Sequence, residues 1–236
     1  MSHQARFQFI VTAEHASRSV PPECENLLDD LIEKTDTHRI FDPGTKTIAE
    51  EIASRLKCPL ILGTCTRLAV DLNRSIGNPS QFSPPIFDSD EMLKEQLLRN
   101  YFIPFRSETK SVIESFLESS QTVVHISVHS FTKNFDGEQR AVDLGILFDD
   151  TRSSETALCH PWLNALQTLI PELSVIANKP YHGREDGHTS ALRKRYPENR
   201  YLGIELEFSQ DLDLDLDAET YAKIIASTLL KLLARS

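Results

Sequence analysis

Residues able to hold a metal ion or move a proton recur at the ends of apolar runs in this chain. Glu14-His15 follows Phe7–Thr12, His129 closes the β-branched run Val123–Val128, and Glu205 and Glu207 sit within Tyr201–Phe208. His38 and Asp42 fall between the first two runs. Zinc accepts imidazole nitrogen and carboxylate oxygen, and a catalytic zinc keeps one position for water. Three ligands drawn from His15, Asp42 and His129, with a separate carboxylate nearby, supply a metal hydrolase. The chain has no HExxH helix and no compact ligand pair, so the spacing equally admits ordinary hydrogen-bonded histidines. His125 lies on the same strand face as His129 but about 13 Å back at strand rise, too far to share one ion. It reads as a buried, satisfied histidine.

In GIELEFSQ, Gly203–Gln210, the apolar Ile204, Leu206 and Phe208 alternate with Glu205 and Glu207, placing both carboxylates on one strand face. A solvated edge strand produces the same alternation. In a central strand, a carboxylate facing water beside a metal is a suitable general base, because burial raises its pKa toward neutrality. Glu205 is the preferred base and Glu207 its rival. Arg67, Asn73 and Arg74 share one short segment, and Arg184 stands in a second, glycine-bearing one. Guanidinium forks grip planar carboxylates bidentately, so such a pocket favours a small acidic substrate. Asp71 suits the orientation of an arginine or a metal ligand, while Arg193 and Arg195 read as surface ion pairs.

Positioning these residues requires strands whose carboxyl ends meet, where loops are free to carry polar groups. The central stretch is Gln121–Thr132, whose Val123, Val124, Ile126 and Val128 form a buried strand. Phe7–Thr12, Pro59–Leu62, Val142–Phe148, Leu173–Ala177 and Tyr201–Phe208 read as further strands, with a short one at Leu68–Leu72. Helical periodicity covers Pro21–Lys34, Thr45–Leu56 and Ser154–Leu169, and a long region, Asp90–Leu117, that Pro104 kinks or divides. Gly77–Pro85 is irregular. The alternating Asp211–Asp217 is a solvated connection, and Asp217 caps a last helix running to Leu233. Strands alternating with helices predict one α/β domain over residues 1–236, a mixed, mostly parallel sheet flanked by helices.

Length and composition set the outer bounds. A chain of 236 residues, 40% hydrophobic and 25% charged, builds a sizeable core and is globular and soluble. Its formal net charge of -10 argues against general binding to nucleic acid or to an anionic membrane. No apolar stretch reaches the length of a membrane span, and the N-terminus lacks the pattern of a signal peptide. Cys24, Cys58, Cys65 and Cys159 make no CxxC pair, so neither a disulfide framework nor a thiolate zinc site is expected. The default location is cytoplasmic, and no oligomeric state is specified.

Taken in order, TAEHASRSVP at Thr12–Pro21, HRIFDPG at His38–Gly44, TRLAVDLNRS at Thr66–Ser75, HISVHSFT at His125–Thr132, NKPYHG at Asn178–Gly183 and IELE at Ile204–Glu207 resemble the N-formylglutamate amidohydrolase family. The resemblance spans nearly the whole chain, and DLNRS followed by HSFT is its most specific part. It implies a fold like that of zinc carboxypeptidases and aspartoacylase, the phosphorylase/hydrolase-like arrangement, with one zinc ion at the strand ends. It further implies that His15 and His129 are metal ligands, that Asp42 is the acidic ligand with Glu14 as the alternative, and that a late-strand glutamate is the base. Asn73-Arg74 is similar to the Asn-Arg pair that binds a substrate carboxylate in the wider group, joined by Arg184 or Arg67. His38 and His125, with Glu14 and Asp71, are candidates to orient the ligands, since a zinc-bound group needs such a partner. The third place of IELE, Glu207, departs from the basic or polar residue usual there. The implied reaction is hydrolysis of N-formyl-L-glutamate, a small acidic N-acyl amino acid, to formate and L-glutamate. Two alternatives stand beside it: a zinc amidase for another acyl-amino acid or a peptide or cell-wall amide, and a non-catalytic ligand-binding member of the fold.

Overall fold

Every position of Thr122–Phe131 and of Tyr201–Ser209 is buried, so these two strands occupy the middle of the sheet and not its solvated edge. The computed structural model describes residues 7–35, 37–119, 121–135 and 137–234. In chain order its elements are β1 (Phe7–Ala13), α1 (Glu25–Lys34), α2 (Thr37–Ile40), α3 (Thr45–Leu56), β2 (Leu60–Leu62), α4 (Pro84–Phe87), α5 (Glu91–Leu97), α6 (Ile103–Glu118), β3 (Thr122–Phe131), β4 (Asn134–Phe135), β5 (Glu138–Gln139), β6 (Leu144–Leu147), α7 (Ser153–Leu169), β7 (Val175–Ala177), α8 (His188–Arg193), β8 (Tyr201–Ser209) and α9 (Leu214–Leu233). The main sheet runs β2-β1-β3-β8-β6-β7. Its first four strands are mutually parallel, β6 lies antiparallel to β8, and β7 is parallel to β6. This is the mixed, mostly parallel α/β sheet that the alternation of elements predicts.

The two faces of the sheet differ in kind. On one, Val124, Ile126 and Val128 of β3 and Ile204, Leu206 and Phe208 of β8 pack against α3, α7 and α9 through Ile48, Ile52, Trp162, Ile225 and Leu229. Each such side chain, fully buried, contributes on the order of 1.5–3 kcal/mol. Trp162 satisfies its indole N–H on the Thr228 hydroxyl at 2.8 Å. The alternate residues point to the opposite face, where Leu28, Leu97, Phe105 and Ile113 join Ile10, Val123 and Tyr201 in a smaller apolar cluster. Beyond that cluster, toward the carboxyl ends of the strands, the same face carries Thr12, His125, Ser127, His129, Glu205 and Glu207, all buried.

Four local expectations change. Thr66–Ser75 contains no strand at Leu68–Leu72: its backbone closes turns (Ala69 N–H to the Thr66 carbonyl) and Asp71 N–H bonds the Gln81 carbonyl at 2.8 Å. Tertiary demand for Asp71 and Asn73 overrides the apolar alternation. The last helix begins at Leu214 and is capped by Asp213, whose carboxylate accepts from Leu216 N–H at 3.0 Å. Asp215 and Asp217 therefore lie in the first turn, where the helix dipole favours negative charge, and DLDLDLD is only partly a connection. Arg193 is not at the surface but forms a buried pair with Glu155, Nε to Oε1 3.0 Å; Arg195 does pair externally, with Glu114. Pro104 sits in the first turn of α6, which a π-helical turn, Leu98–Phe102, joins to α5. The four cysteines are free thiols. No helix among the described residues is long and apolar enough to cross a membrane.

Candidate metal centre

Three backbone constraints bring the polar residues together. β1 ends at Ala13, whose carbonyl accepts from Gly63 N–H at 2.8 Å. A β-carbon at Gly63 would overlap the carbonyl of Glu14, so the end of β2 seats the Glu14-His15 turn directly. Asp42 N–H then donates to the His15 carbonyl at 3.0 Å, and Thr45 Oγ1 donates to the Asp42 carbonyl at 2.7 Å as α3 starts. His129 arrives from β3, where it faces Glu207 of β8 across the ladder.

His15 and His129 have ring centroids 5.1 Å apart. Both turn Nδ1 toward one oxygen, Asp42 Oδ2, at 3.3 and 3.1 Å. The far nitrogen of each ring has a carboxylate beside it, in direct hydrogen bond for His15 and behind a serine hydroxyl for His129. His15 Nε2 meets Asp71 Oδ1 at 2.8 Å, and His129 Nε2 lies 3.4 Å from Glu14 Oε2 and 3.0 Å from Ser127 Oγ. Ser127 donates its own proton to Glu14 Oε2 at 2.7 Å, so it can only accept from His129 Nε2–H. That proton count reserves the Nδ1 lone pair of neutral His129 for the cavity side. Arg67 braces the carboxylates, Nη1 to Asp42 Oδ1 at 3.2 Å and Nη2 to Asp71 Oδ2 at 3.0 Å.

The donor set fits a divalent ion. Ligand atoms 2.0–2.2 Å from a tetrahedral zinc stand about 3.3–3.6 Å from one another; the two imidazole–Asp42 separations are 3.3 and 3.1 Å, and all three ligand atoms lie within 4.8 Å. Carboxylate–histidine pairing behind the ligands is the arrangement that fixes ring orientation at metal sites. Of the three buried carboxylates here, Asp42 and Asp71 share one fixed cation, Arg67, and among the described residues Glu14 meets only histidines and hydroxyls, a deficit that a divalent cation would balance. Without it, burial disfavours the His129 cation, but hydrogen bonding to Asp42 and the charges of Glu14 and Glu207 overcome this and raise its pKa to about 10. Burial likewise pushes Asp42 and Asp71 upward, and His15 with Arg67 outweighs it, holding both carboxylates well below their usual range.

A second group, Glu14, His125 and His188, also has its ligand atoms within 4.8 Å of one another. Its interactions are of another type. Thr12 Oγ1 donates to Glu14 Oε1 at 2.9 Å and thus accepts from His125 Nε2–H at 2.8 Å, while Tyr201 O–H donates to His125 Nδ1 at 2.7 Å. His188 Nδ1 meets Glu14 Oε1 at 2.8 Å. Burial lowers His125 to about 3 and, with the charge of Arg106, His188 to about 4. Both rings are neutral.

The remaining predicted residues separate clearly. A cavity of about 160 Å³ is lined by His15, Asp42, His129 and both late-strand glutamates, together with Asn73 and Arg74. Glu207 is buried and its Oε2 has no hydrogen-bond partner among the described residues; burial raises it to about 8 against the pull of His129. Glu205 is instead held by the Thr189 hydroxyl. Asn73 Oδ1 accepts from His188 N–H at 2.7 Å, and Arg74 Nη1 donates to the Asp186 carbonyl at 2.6 Å. Arg184 does not join them: it is half-exposed and pairs with Asp150 at 3.3 Å. The side chain of His38 lies outside the described residues. Sequence reasoning missed His188, Ser127, Arg140 and Tyr181. Only Ser127 carried a signal, its place between His125 and His129 on one strand face.

A family model described as N-formylglutamate amidohydrolase matches residues 7–213. Among solved structures, the gene product Atu2144 from Agrobacterium tumefaciens superposes with a TM-score of 0.82 at 26% identity, over 98% of this chain and 92% of that one. N-formylglutamate amidohydrolase from Ralstonia eutropha JMP134 gives 0.66 at 15% identity, over 99% and 95%. N-acetylmuramoyl-L-alanine amidase AmiC2 of Nostoc punctiforme gives 0.50 at 12% identity, over 97% and 98%. The last two are likenesses of fold. No curated protein matches the sequence.

Proposed function

The chain belongs to the N-formylglutamate amidohydrolase family, and on that premise we propose that it cleaves the amide of a small N-acylated acidic amino acid, first of all N-formyl-L-glutamate, with one zinc ion held by His15, Asp42 and His129. The observation that carries this reading is the pair of Nδ1 atoms aimed at one Asp42 oxygen while Asp71 and Glu14 occupy the far side of each ring. Such an ion supplies Lewis-acid polarisation of the amide carbonyl and makes water a nucleophile at neutral pH.

In this reading Glu207, and not Glu205, is the base. It faces the cavity opposite His129, unpartnered at Oε2, with a pKa raised to about 8, near the pH at which a general base works best. Glu207 takes a proton from the attacking water as the new C–O bond forms. It delivers that proton to the amide nitrogen as the C–N bond breaks, releasing formate and the free amine. Arg67, Asp71 and Glu14 hold the ligands. Asn73 and Arg74, which line the same cavity, grip a substrate carboxylate and align the carbonyl.

Formate release from N-formyl-L-glutamate by the zinc-loaded protein, together with metal analysis, tests the proposal. One ion per chain and turnover are expected; one ion without turnover on any N-acyl amino acid overturns the catalytic reading. A second reading, an amidase for longer amides, is favoured by one feature. An open groove of about 750 Å³ adjoins the cavity and shares Arg67, Arg74 and Tyr181 with it. Relative kcat/KM on formyl-glutamate and on peptide amides separates the two.

A further inference from the structure

Asp186 lines the cavity from the segment between β7 and α8, beside Arg74 on the loop after β2. A carboxylate next to a guanidinium ordinarily pairs with it and uses up its charge. Here the two are arranged differently. Arg74 Nη1 donates to the main-chain carbonyl of Asp186 at 2.6 Å. The Asp186 carboxylate is turned instead to the residues that follow Arg74. Its Oδ2 accepts from Ser75 N–H at 2.9 Å and from the Asn78 side-chain amide at 2.7 Å, and its Oδ1 accepts from the Ser75 hydroxyl. We infer that Asp186 is a positioning residue: it latches the loop bearing Asn73 and Arg74 to the segment before α8, and aims Arg74 into the cavity without spending the guanidinium charge. This rests on the amidohydrolase reading above, in which Arg74 grips a substrate carboxylate.

The loop is fixed on both sides of Arg74. Arg106 of α6 donates from Nε to the Leu72 carbonyl at 2.9 Å and from Nη2 to the Arg74 carbonyl at 3.0 Å, with its guanidinium carbon 4.9 Å from the centroid of the Phe102 ring. Asp71 accepts from Asn73 N–H at 2.9 Å. The residue after Gly187 reaches the same loop, because His188 N–H donates to Asn73 Oδ1 at 2.7 Å. An N–H can only donate, so the Asn73 amide turns its Nδ2 donors elsewhere. A β-carbon at Gly187 would stand 3.1 Å from that Oδ1, which shows how closely the two backbones approach. On the far side, Gly77 turns the chain at a φ of 85°, a conformation glycine adopts without strain, and its N–H is held by Gln81 Oε1 at 3.1 Å. That turn brings Asn78 back to the carboxylate that already holds Ser75. The Asp186 bonds are charge-assisted and so among the stronger ones in the loop. With one N–H on the Asp186 carbonyl, Arg74 keeps its other donors for a ligand and meets it with less ordering left to do.

The test measures formate release from N-formyl-L-glutamate, with zinc content, for the zinc-loaded wild type, Asp186→Ala, Arg74→Met and the double variant. Asp186→Ala keeps one ion per chain and raises KM by about 10- to 100-fold, with kcat changed by less than about 3-fold, as expected when one hydrogen bond to a charged group is lost from uniform binding. Asp186→Asn, which retains one acceptor oxygen, recovers part of that. In the Arg74→Met background the Asp186→Ala change adds less than about 2-fold, because a residue acting through Arg74 has nothing left to aim. A merely structural role would add its full effect there. An unchanged KM in Asp186→Ala, a loss confined to kcat or zinc, or full additivity with Arg74→Met overturns the latch, while wild-type turnover keeps the hydrolase reading. If Asp186→Ala does not fold, Ser75→Ala carries the same comparison, with KM raised by about 3-fold for the one lost hydroxyl bond. If the wild type turns over no N-formyl amino acid, calorimetric binding of N-formyl-L-glutamate replaces KM. Affinity that falls in Asp186→Ala, and falls no further in the double variant than in Arg74→Met, supports the latch while the hydrolase reading fails; no binding removes both.

Discussion

Two groups of one carboxylate and two imidazoles stand on the same face of the sheet, one behind the other along β3. The inner group, Glu14, His125 and His188, and the outer, His15, Asp42 and His129, have the same composition and the same compactness. They differ in where the ring lone pairs go. In the inner group both nitrogens of His125 are consumed by the hydroxyls of Thr12 and Tyr201. In the outer group Asp71 takes the far nitrogen of His15, Ser127 backed by Glu14 takes that of His129, and the two Nδ1 atoms converge on one Asp42 oxygen beside the cavity. Ligand type and proximity do not separate the two groups; the direction of the unshared electron pairs does. Glu14 joins the groups, with Oε1 bound inward to Thr12 and His188 and Oε2 outward to Ser127 and His129.

Breaking each group separately should expose the division of labour. His129→Ala should lower bound zinc from one ion to none and cut turnover by about 10⁴-fold or more, since several kcal/mol of Lewis-acid assistance go with the ion. His125→Ala should keep one ion per chain; metal analysis showing loss in both variants would erase the distinction. Glu207→Gln should retain the ion and lose about 10²–10⁴-fold in kcat, the usual worth of a general base, with a smaller loss for Glu205→Gln measured in the same assay. Asp71→Asn, which loosens His15 without removing it, should weaken zinc by about 10- to 100-fold in a chelator competition. His188→Ala leaves Glu14 short of one buried partner, worth about 1–3 kcal/mol. For a domain of this size it should lower Tm by roughly 3–10 °C while stoichiometry stays at one.

The gentlest probe is pH, because the two groups titrate in opposite senses. His125 and His188 are lowered from 6.5 to about 3 and 4. The unfolded chain therefore binds their protons first, and the stability they contribute is full above about 6.5 and lost as pH falls through 4 and 3. His129, raised to about 10 in the metal-free protein, contributes stability that is full below 6.5 and lost as pH rises through 10. Urea denaturation between pH 4 and 10 should show both limbs without metal. Zinc, which takes the place of the His129 proton, should remove the alkaline limb and leave the acidic one.

Much of this was legible in the chain. Strand ends marked by His15 and His129, and the Asp42-Pro43-Gly44 turn into α3, follow from apolar periodicity and turn chemistry, and so does the mostly parallel sheet. The choice between Glu205 and Glu207 was not legible, because both share one face by alternation. In the proposed mechanism it depends on Thr189 reaching Glu205 and on no described residue reaching Glu207 Oε2. The roles of the arginines were equally hidden. Arg67, Arg74 and Arg184 look alike in a string of letters, and only tertiary pairing turns the first into a brace and sends the last away from the cavity. His188 arrives from 174 residues away to meet Glu14, a contact no local pattern encodes.

Gly63 takes part in neither group, yet its bare α-carbon is where the Glu14 carbonyl passes. Since Glu14 serves the inner network and its neighbour His15 the outer, even one methyl group there would unseat both together. A random library sorted on lost turnover should therefore flag a position that contacts no ion and no substrate. Anyone grafting the three proposed ligands onto a foreign scaffold would have to transplant the tip of β2 along with them.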